Sequence, residues 1–388
     1  MSRGGAAIIG AAESPYTRHA PLEWHGQELR TEHLLADAVV RALEDAGIER
    51  DQVDGLGVCS FTLAPDHAID IAWRLGMSVR WLMEDTSGGA GGINMLQHAV
   101  RAVEAGDASV IMLVAGDKIF GRDYETLNDN YNRATRDYLA VLPMEGPNTL
   151  FSFITQRHMR RYGLRREDYA CVALAQRRWA GRNPGAVYRR PLTLEEYLGA
   201  PVVAPPLHRY DCVPPVAGAD AIVVAAVDRG ADTPAARVRA VGAAYDHDKQ
   251  EGDGLSTGLS VCAGPTWERA ALGPEDADVV SIYDDYPVMV VIQAAELGLI
   301  PDGDPARFLH ADLWEGQCPL NTSGGQLSAG QAGAGAGLHG VVEVVTQLRG
   351  RAGRRQVASA RIGVSTGYGM VLWRHGACAN VAVLERVG

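Results

Sequence analysis

One pattern occurs twice along this chain: a glycine-rich turn, then an apolar helix, then an apolar strand. The first copy opens at Ser87-Gly-Gly-Ala-Gly-Gly-Ile93 and continues as a helix in which Ile93, Leu96, Val100 and Val103 recur at helical spacing. It ends in the apolar run Ser109–Gly116. The second copy is the turn Gly324–Gly337, the helix Leu338–Leu348 and the strand Ser359–Val364. A strand that is apolar along its whole length has to be covered on both faces. Strands alternating with helices then imply an α/β fold with largely parallel pairing. Two similar halves place a site at their junction, where helix N-termini converge. Identity between the copies is weak, so the duplication rests on their order.

The remaining segments fit that frame. Ala6–Gly10 and Val53–Cys59 read as strands, and Thr31–Ala46 as a helix stopped by Gly47. Residues from about 117 to 210 break the rhythm. They are rich in Arg, Tyr and Asn and hold amphipathic helices at Phe151–Tyr162 and Arg166–Ala180, as an inserted lobe would. Strand-like runs return at Ala221–Val227, Arg237–Val241 and Val279–Tyr283, the last followed by a helix over Val288–Leu297. The expected division is an N-terminal half over 1–235 containing the lobe and a C-terminal half over 236–388.

Composition removes several classes of function. With 36 basic against 47 acidic side chains, the net charge of −11 disfavours a nucleic-acid partner. No apolar run reaches the roughly 18 residues that span a bilayer, and no signal peptide is expected. The six cysteines (59, 171, 212, 262, 318 and 378) are dispersed without a CxxC pair. Neither a zinc ribbon nor a disulfide framework is expected, so no metal site is read, and reduced thiols point to the cytoplasm.

Asn321-Thr-Ser-Gly-Gly-Gln-Leu-Ser-Ala-Gly-Gln-Ala-Gly-Ala-Gly-Ala-Gly337 resembles the Asn-x-x-Gly-Gly-x-x-x-x-Gly-His-Pro-x-Gly-x-x-Gly motif of thiolases. Arg160-Arg-Tyr-Gly, Asn183-Pro and Tyr210-Asp-Cys-Val-Pro-Pro-Val-Ala-Gly-Ala-Asp220 resemble the sterol-carrier-protein branch of that superfamily. The resemblance covers nearly the whole chain. It implies two βαβαβαββ halves in five αβαβα layers, an inserted lobe over the site, a homodimer, and acyl-CoA substrates.

The residues at the family's catalytic positions are replaced. The nucleophilic cysteine falls on Gly89, and glycine forms no acyl-enzyme. The histidine of Gly-His-Pro falls on Gln331, the His-Asp-Cys-Phe motif reads Tyr283-Asp-Asp-Tyr286, and the second cysteine falls on Ser365. A glycine turn at a helix start still offers backbone N–H groups to an oxyanion. The family-matched donors are Gly89 and Gly367, with Gln331, Asn321 and Ser365 as further substrate-binding positions. The resemblance to the lipid-transfer-protein-like aldolases of steroid side-chain degradation adds an expectation of retro-aldol chemistry through an enolate. Tyr283 matches their Tyr-Asp motif, whereas Gln331 departs from the tyrosine they carry after that glycine. Tyr283 aided by Asp284 would act on the hydroxyl proton, with Tyr368 or His375 as the second proton-transfer group. CoA would be part of the substrate rather than a bound cofactor, and a small DUF35 partner with a zinc ribbon and an OB-fold is implied.

Packing alternatives stand beside these roles. Asp284 and Asp285 suit caps for the next helix, and Tyr368 and Tyr283 suit buried packing. Two other functions remain open at this point. One is an acyltransferase whose nucleophile is Ser365 or a lobe cysteine; the other is a non-catalytic acyl-CoA- or lipid-binding subunit.

Overall fold

The computed structural model describes residues 5–19, 23–120, 122–129, 131–139, 141–142, 146–227, 234–316 and 318–388. In the first half, β1 (Ala6–Glu13), α1 (Thr31–Ala46), β2 (Gly55–Cys59), α2 (Ala68–Arg74), β3 (Trp81–Asp85), α3 (Gly91–Ala105) and β4 (Val110–Asp117) alternate. After β4 come α4 (Arg122–Asp129), α5 (Pro147–Tyr162), α6 (Arg166–Ala180) and α7 (Leu194–Leu198), before β5 (Gly218–Ala226) returns to the sheet. The second half runs β6 (Ala235–Tyr245), α8 (Leu259–Ala270), β7 (Val279–Ser281), α9 (Pro287–Glu296), the short helix α10 (Gly325–Ala329), α11 (Ala336–Leu348), β8 (Ile362–Val371) and β9 (Gly376–Val387). Residues 228–233, next to the expected boundary between the halves, lie outside the described residues. Among the described residues no helix is long and apolar enough to cross a membrane.

These nine strands form one sheet in the order β7-β8-β9-β6-β1-β5-β4-β2-β3. Its two ends mirror each other. The order β3-β2-β4-β5-β1 of the first half is matched by β7-β8-β9-β6 in the second, where the third strand is reduced to a parallel bridge between Leu320 and Val280. The sequence led us to expect largely parallel pairing, and the sheet departs from that. Only β3-β2, β2-β4 and β7-β8 are parallel. The β8–β9 connection is a short hairpin, which forces antiparallel pairing. β5 comes back from the lobe antiparallel to β4 and to β1.

Alternation along single strands sorts the chain into layers. In β4, Val110, Met112 and Val114 face outward with Leu35, Val39 and Ile71 of α1 and α2. Ile111 and Leu113 face inward with Leu96 and Val103 of α3 and Leu338 and Val341 of α11, and Leu384 of β9 closes the same cluster. On the far side Trp267 of α8 and Met289 and Ile292 of α9 cover Val280, Val364 and Val381. The layers are therefore α, β, α, β, α, with α3 and α11 side by side in the middle.

Those two central helices meet at their first turns. A Cβ on Gly92 would lie 2.2 Å from the Gly337 carbonyl oxygen, and one on Gly337 would lie 2.9 Å from the Gly92 nitrogen. Glycine on both sides is what lets the two helix starts converge. As the sequence indicated, α1 stops at Gly47, whose left-handed φ of +65° turns its N–H back to the carbonyls of Leu43 and Glu44.

Candidate active site

Beyond β7 the chain enters Ile282-Tyr283-Asp284-Asp285-Tyr286, and buried side chains fix its backbone. Asn321 Oδ1 accepts from Ile282 N at 2.7 Å, and Asn321 Nδ2 donates to Ile282 O at 3.0 Å. Tyr283 N donates to Thr366 Oγ1 at 3.0 Å, and Tyr283 O accepts from Gln293 Nε2 at 2.7 Å. Thr366 in turn donates to Gln293 Oε1. With its backbone satisfied in this way, Tyr283 has little freedom to move. Asn321 is thus placed as the clamp on this segment rather than as a wall of the site.

The clamp delivers the Tyr283 ring onto Gly89. A Cβ built on Gly89 would lie 2.2 Å from Tyr283 Cζ and 2.4 Å from its hydroxyl oxygen. The phenol therefore fills the space that a side chain at position 89 would need. Gln331 Nε2 donates to Tyr283 Oη at 3.2 Å and to Gln326 Oε1 at 3.1 Å. With that bond accepted from Gln331, the phenolic proton is free to point into the pocket. Burial, followed by the nearby Asp285 charge, pushes the Tyr283 hydroxyl well above the usual tyrosine range. Tyr283 is therefore a neutral donor near pH 7.

Among the described residues a pocket of about 80 Å³ is lined by Gly89, Tyr283, Asp285, Gln331, Tyr368 and Gly369, with further aromatic walls from Phe61, Tyr124, Tyr131, Phe151 and Tyr286. Phe151 stacks on Tyr286 with ring centroids 4.3 Å apart, and its edge meets Tyr368. Gly89 is the middle residue of the 3₁₀ turn Gly88–Ala90 ahead of α3. N–H groups at a helix start have no acceptor within the helix and remain available to an anion.

Sequence reasoning missed Asp285. A cap for the next helix is the alternative its position suits, yet α9 has no side-chain cap and carries Pro287 in its first turn. Asp285 is half-buried, and its Oδ1 is buried without a hydrogen-bond partner. Burial and then the neighbouring Asp284 push that carboxyl well above the ordinary range. Its neighbour is spent differently. Asp284 accepts from the amides of Gln326 and Leu327 at 2.9 and 3.2 Å, tying the start of α10 to this segment. Burial raises Asp284 to about 7, against the pull of those amides.

Four further expected residues sit differently from their expected roles. Tyr368 contributes its ring to the pocket, but its hydroxyl accepts from Gly376 N at 2.6 Å and anchors the β8–β9 hairpin. His375 lies outside this pocket. It lines a separate cavity of about 630 Å³ with Phe153, Ile154 and Trp373, and its Nε2 is 3.1 Å from Asp248 Oδ2. Ser365 lies further down the same face of β8, where a Cβ on Gly340 of α11 would lie 2.7 Å from its hydroxyl, and that hydroxyl has no partner. Gly367 pairs with Asn380 and packs on the Gly89 carbonyl, whereas Gly369 reaches the pocket. A Cβ on Gly369 would lie 2.8 Å from Gly89 N. The two-residue offset keeps the same face of the strand, which is why spacing alone could not separate Gly367 from Gly369.

One group of three metal-type ligands occurs among the described residues: Glu13, Asp220 and His339. Both imidazole nitrogens are committed, Nδ1 to Glu13 at 2.7 Å and Nε2 to Ser323 Oγ at 2.8 Å. Tyr16 donates to Asp220 at 2.7 Å. Burial opposes the imidazolium, but the Glu13 carboxylate outweighs it and lifts His339 to about 9. The cluster is an ion pair beneath the glycine loop.

Similarity to known proteins bears on this geometry. Residues 241–385 match the family described as thiolase C-terminal domain-like. A 17-hydroxy-3-oxo-4-pregnene-20-carboxyl-CoA lyase of Mycobacterium tuberculosis is 30% identical over 371 residues, covering 90% of this chain and 93% of that protein. A steroid side-chain-cleaving aldolase of Thermomonospora curvata is 28% identical over 369 residues, covering 89% and 91%. The solved Ltp2-ChsH2(DUF35) aldolase superposes with a TM-score of 0.83 at 25% identity, covering 98% of each chain. Five layers, a glycine loop behind paired helix starts and near-full-length relatives agree: this chain belongs to the thiolase superfamily, in its sterol-carrier-protein-like branch, and resembles the aldolases found there.

Proposed function

We propose that this chain is an aldolase that cleaves or forms a carbon–carbon bond in a β-hydroxyacyl-CoA thioester. One observation carries the reading: the phenol of Tyr283 stands in the space of a nucleophile at Gly89, so the site exchanges covalent for proton-transfer chemistry. The names of two full-length relatives, a CoA lyase and a side-chain-cleaving aldolase, support the same class.

In the cleaving direction the thioester oxygen sits at the Gly89 amide, beside Gly369 of β8. The β-hydroxyl of the substrate meets Tyr283 Oη, and its proton passes toward the Asp285 carboxylate. The Cα–Cβ bond then breaks. Its electron pair enters the thioester as an enolate, stabilised by backbone dipoles in a site with little water. The same proton returns to the α-carbon, so products are a ketone or aldehyde and a shortened acyl-CoA, with no net proton change. Gln331 holds the phenol in place.

Incubation with a β-hydroxyacyl-CoA, with the DUF35 partner we also propose for this chain, is expected to release both products and leave the intact protein mass unchanged. The rate should rise with pH along a limb lying above the ordinary carboxylate range, because Asp285 must lose its proton to act as base and burial holds that proton on. Asp285→Asn should remove that limb. A stable acyl adduct would instead favour an acyltransferase. No cysteine lines the pocket among the described residues, and Ser365 is not among its walls, so no observation favours that alternative. Tight acyl-CoA binding without turnover would favour a binding subunit.

We also propose a homodimer joined through β3. Among the described residues this strand is the last in the sheet order, with no strand on its outer edge, and Ile69, Trp73 and Leu82 are exposed around it. Unprotected edges of this kind pair with another strand. Leu82→Arg should shift sedimentation from dimer to monomer; a monomeric wild type would sink the proposal.

A further inference from the structure

A second group of reactive side chains lies outside the pocket, on the lobe. Asp168 and Cys171 are three residues apart on α6 and share one face. Over that face lies Phe308–Glu315, a π-helical segment that carries His310. His310 Nε2 is 2.7 Å from Asp168 Oδ1, and His310 Nδ1 is 3.5 Å from Cys171 Sγ. Asp168 is itself locked, because its other oxygen accepts from Arg165 N at the start of α6.

The order of contacts assigns the protons. A carboxylate only accepts, so the imidazole proton resides on Nε2, and the Nδ1 lone pair faces the thiol. This is a nucleophile, a base and a group that orients the base, each within bonding reach of the next. Among the described residues none of the other five cysteines has an imidazole nitrogen in bonding reach. Burial, then the Asp168 charge, pushes the Cys171 thiol up to about 11, with Glu315 adding to the rise and Arg178 opposing it. The resting thiol is therefore neutral and loses its proton only as it attacks. Consecutive π turns are uncommon and tend to occur at functional positions. Cys171 is buried and His310 is half exposed, so a disulfide reaches the sulfur from the imidazole side.

We propose that Cys171, His310 and Asp168 form a base-assisted thiol site that exchanges with low-molecular-weight disulfides. In that step Cys171 Sγ attacks one sulfur of RSSR, the S–S bond breaks, and a Cys171–SR mixed disulfide forms. The thiol proton moves to His310 Nδ1 and then to the departing RS⁻, which leaves as RSH.

Glutathione disulfide is the probe. Native protein exposed to it should gain one adduct, placed on Cys171 by peptide mapping and formed at least about tenfold faster than any adduct on Cys262, whose thiol lacks such a base. His310→Gln should slow the reaction roughly 10- to 100-fold. Asp168→Asn should slow it too, and this change keeps an oxygen for the Arg165 amide, so α6 stays capped. Circular dichroism and Tm matching the wild type would confirm that both variants are folded. No adduct at Cys171 in the native protein, or wild-type rates in both variants, would overturn the proposal. The readout is independent of aldolase turnover.

Discussion

Tyr283→Phe is expected to lower kcat by roughly 10²- to 10⁴-fold, the usual contribution of a positioned proton-transfer group. The change deletes one oxygen and leaves the ring against Gly89, so the pocket keeps its shape. The lost contact is a single 3.2 Å hydrogen bond from Gln331, whose amide retains Gln326 as a partner. Stability should therefore fall by no more than about 1 kcal/mol, and KM should change little. A rise in KM beside the fall in kcat, or a Tm drop of many degrees, would mean that the hydroxyl is structural. Steady-state kinetics beside a thermal melt separates these outcomes. Unaltered turnover would remove Tyr283 from the chemistry altogether.

Gly89→Ala should be nearly as damaging, for a steric reason. The added methyl would sit 2.2 Å from the Tyr283 ring, and the ring cannot retreat, because Asn321, Thr366 and Gln293 hold its backbone. Overpacking of this kind costs about 1–3 kcal/mol, and the displaced phenol should lose most of its activity. The decisive measurement is a double-mutant cycle on stability. In a Tyr283→Ala background the same methyl has room, so Gly89→Ala should cost much less there, giving a coupling energy within the usual range of about 0.5–3 kcal/mol for residues in contact. Strictly additive effects would show that the two residues do not compete for one space.

That competition was only half legible in the sequence. The repeated turn, helix and strand were readable because apolar periodicity survives without knowledge of contacts, and α1 and α11 fall within two residues of their expected bounds. The strand Trp81–Asp85 was not readable, because it lies at an edge and alternates between half-buried and exposed side chains. The replacements at Gly89, Tyr283 and Gln331 were visible one by one from the motif. That the first two are a single exchange of volume required coordinates. Asp285 was hidden for a related reason: two adjacent aspartates look alike in a sequence, and only the backbone direction sends one to the amides of α10 and the other into the pocket. The β8–β9 hairpin separated His375 from Tyr283, although both belong to the same half.

The contact between Gly92 and Gly337 also bears on how the chain acquires its shape. The first half is synthesised before α11, so the apolar face that α3 turns toward α11 has no cover until that helix has been made. β1 likewise pairs with β5, β6 lies beside it, and β9 follows at the C-terminus. Contacts this distant along the chain close slowly. For much of its synthesis the polypeptide therefore exposes an apolar surface that chaperones or a second chain can meet before the reaction pocket exists.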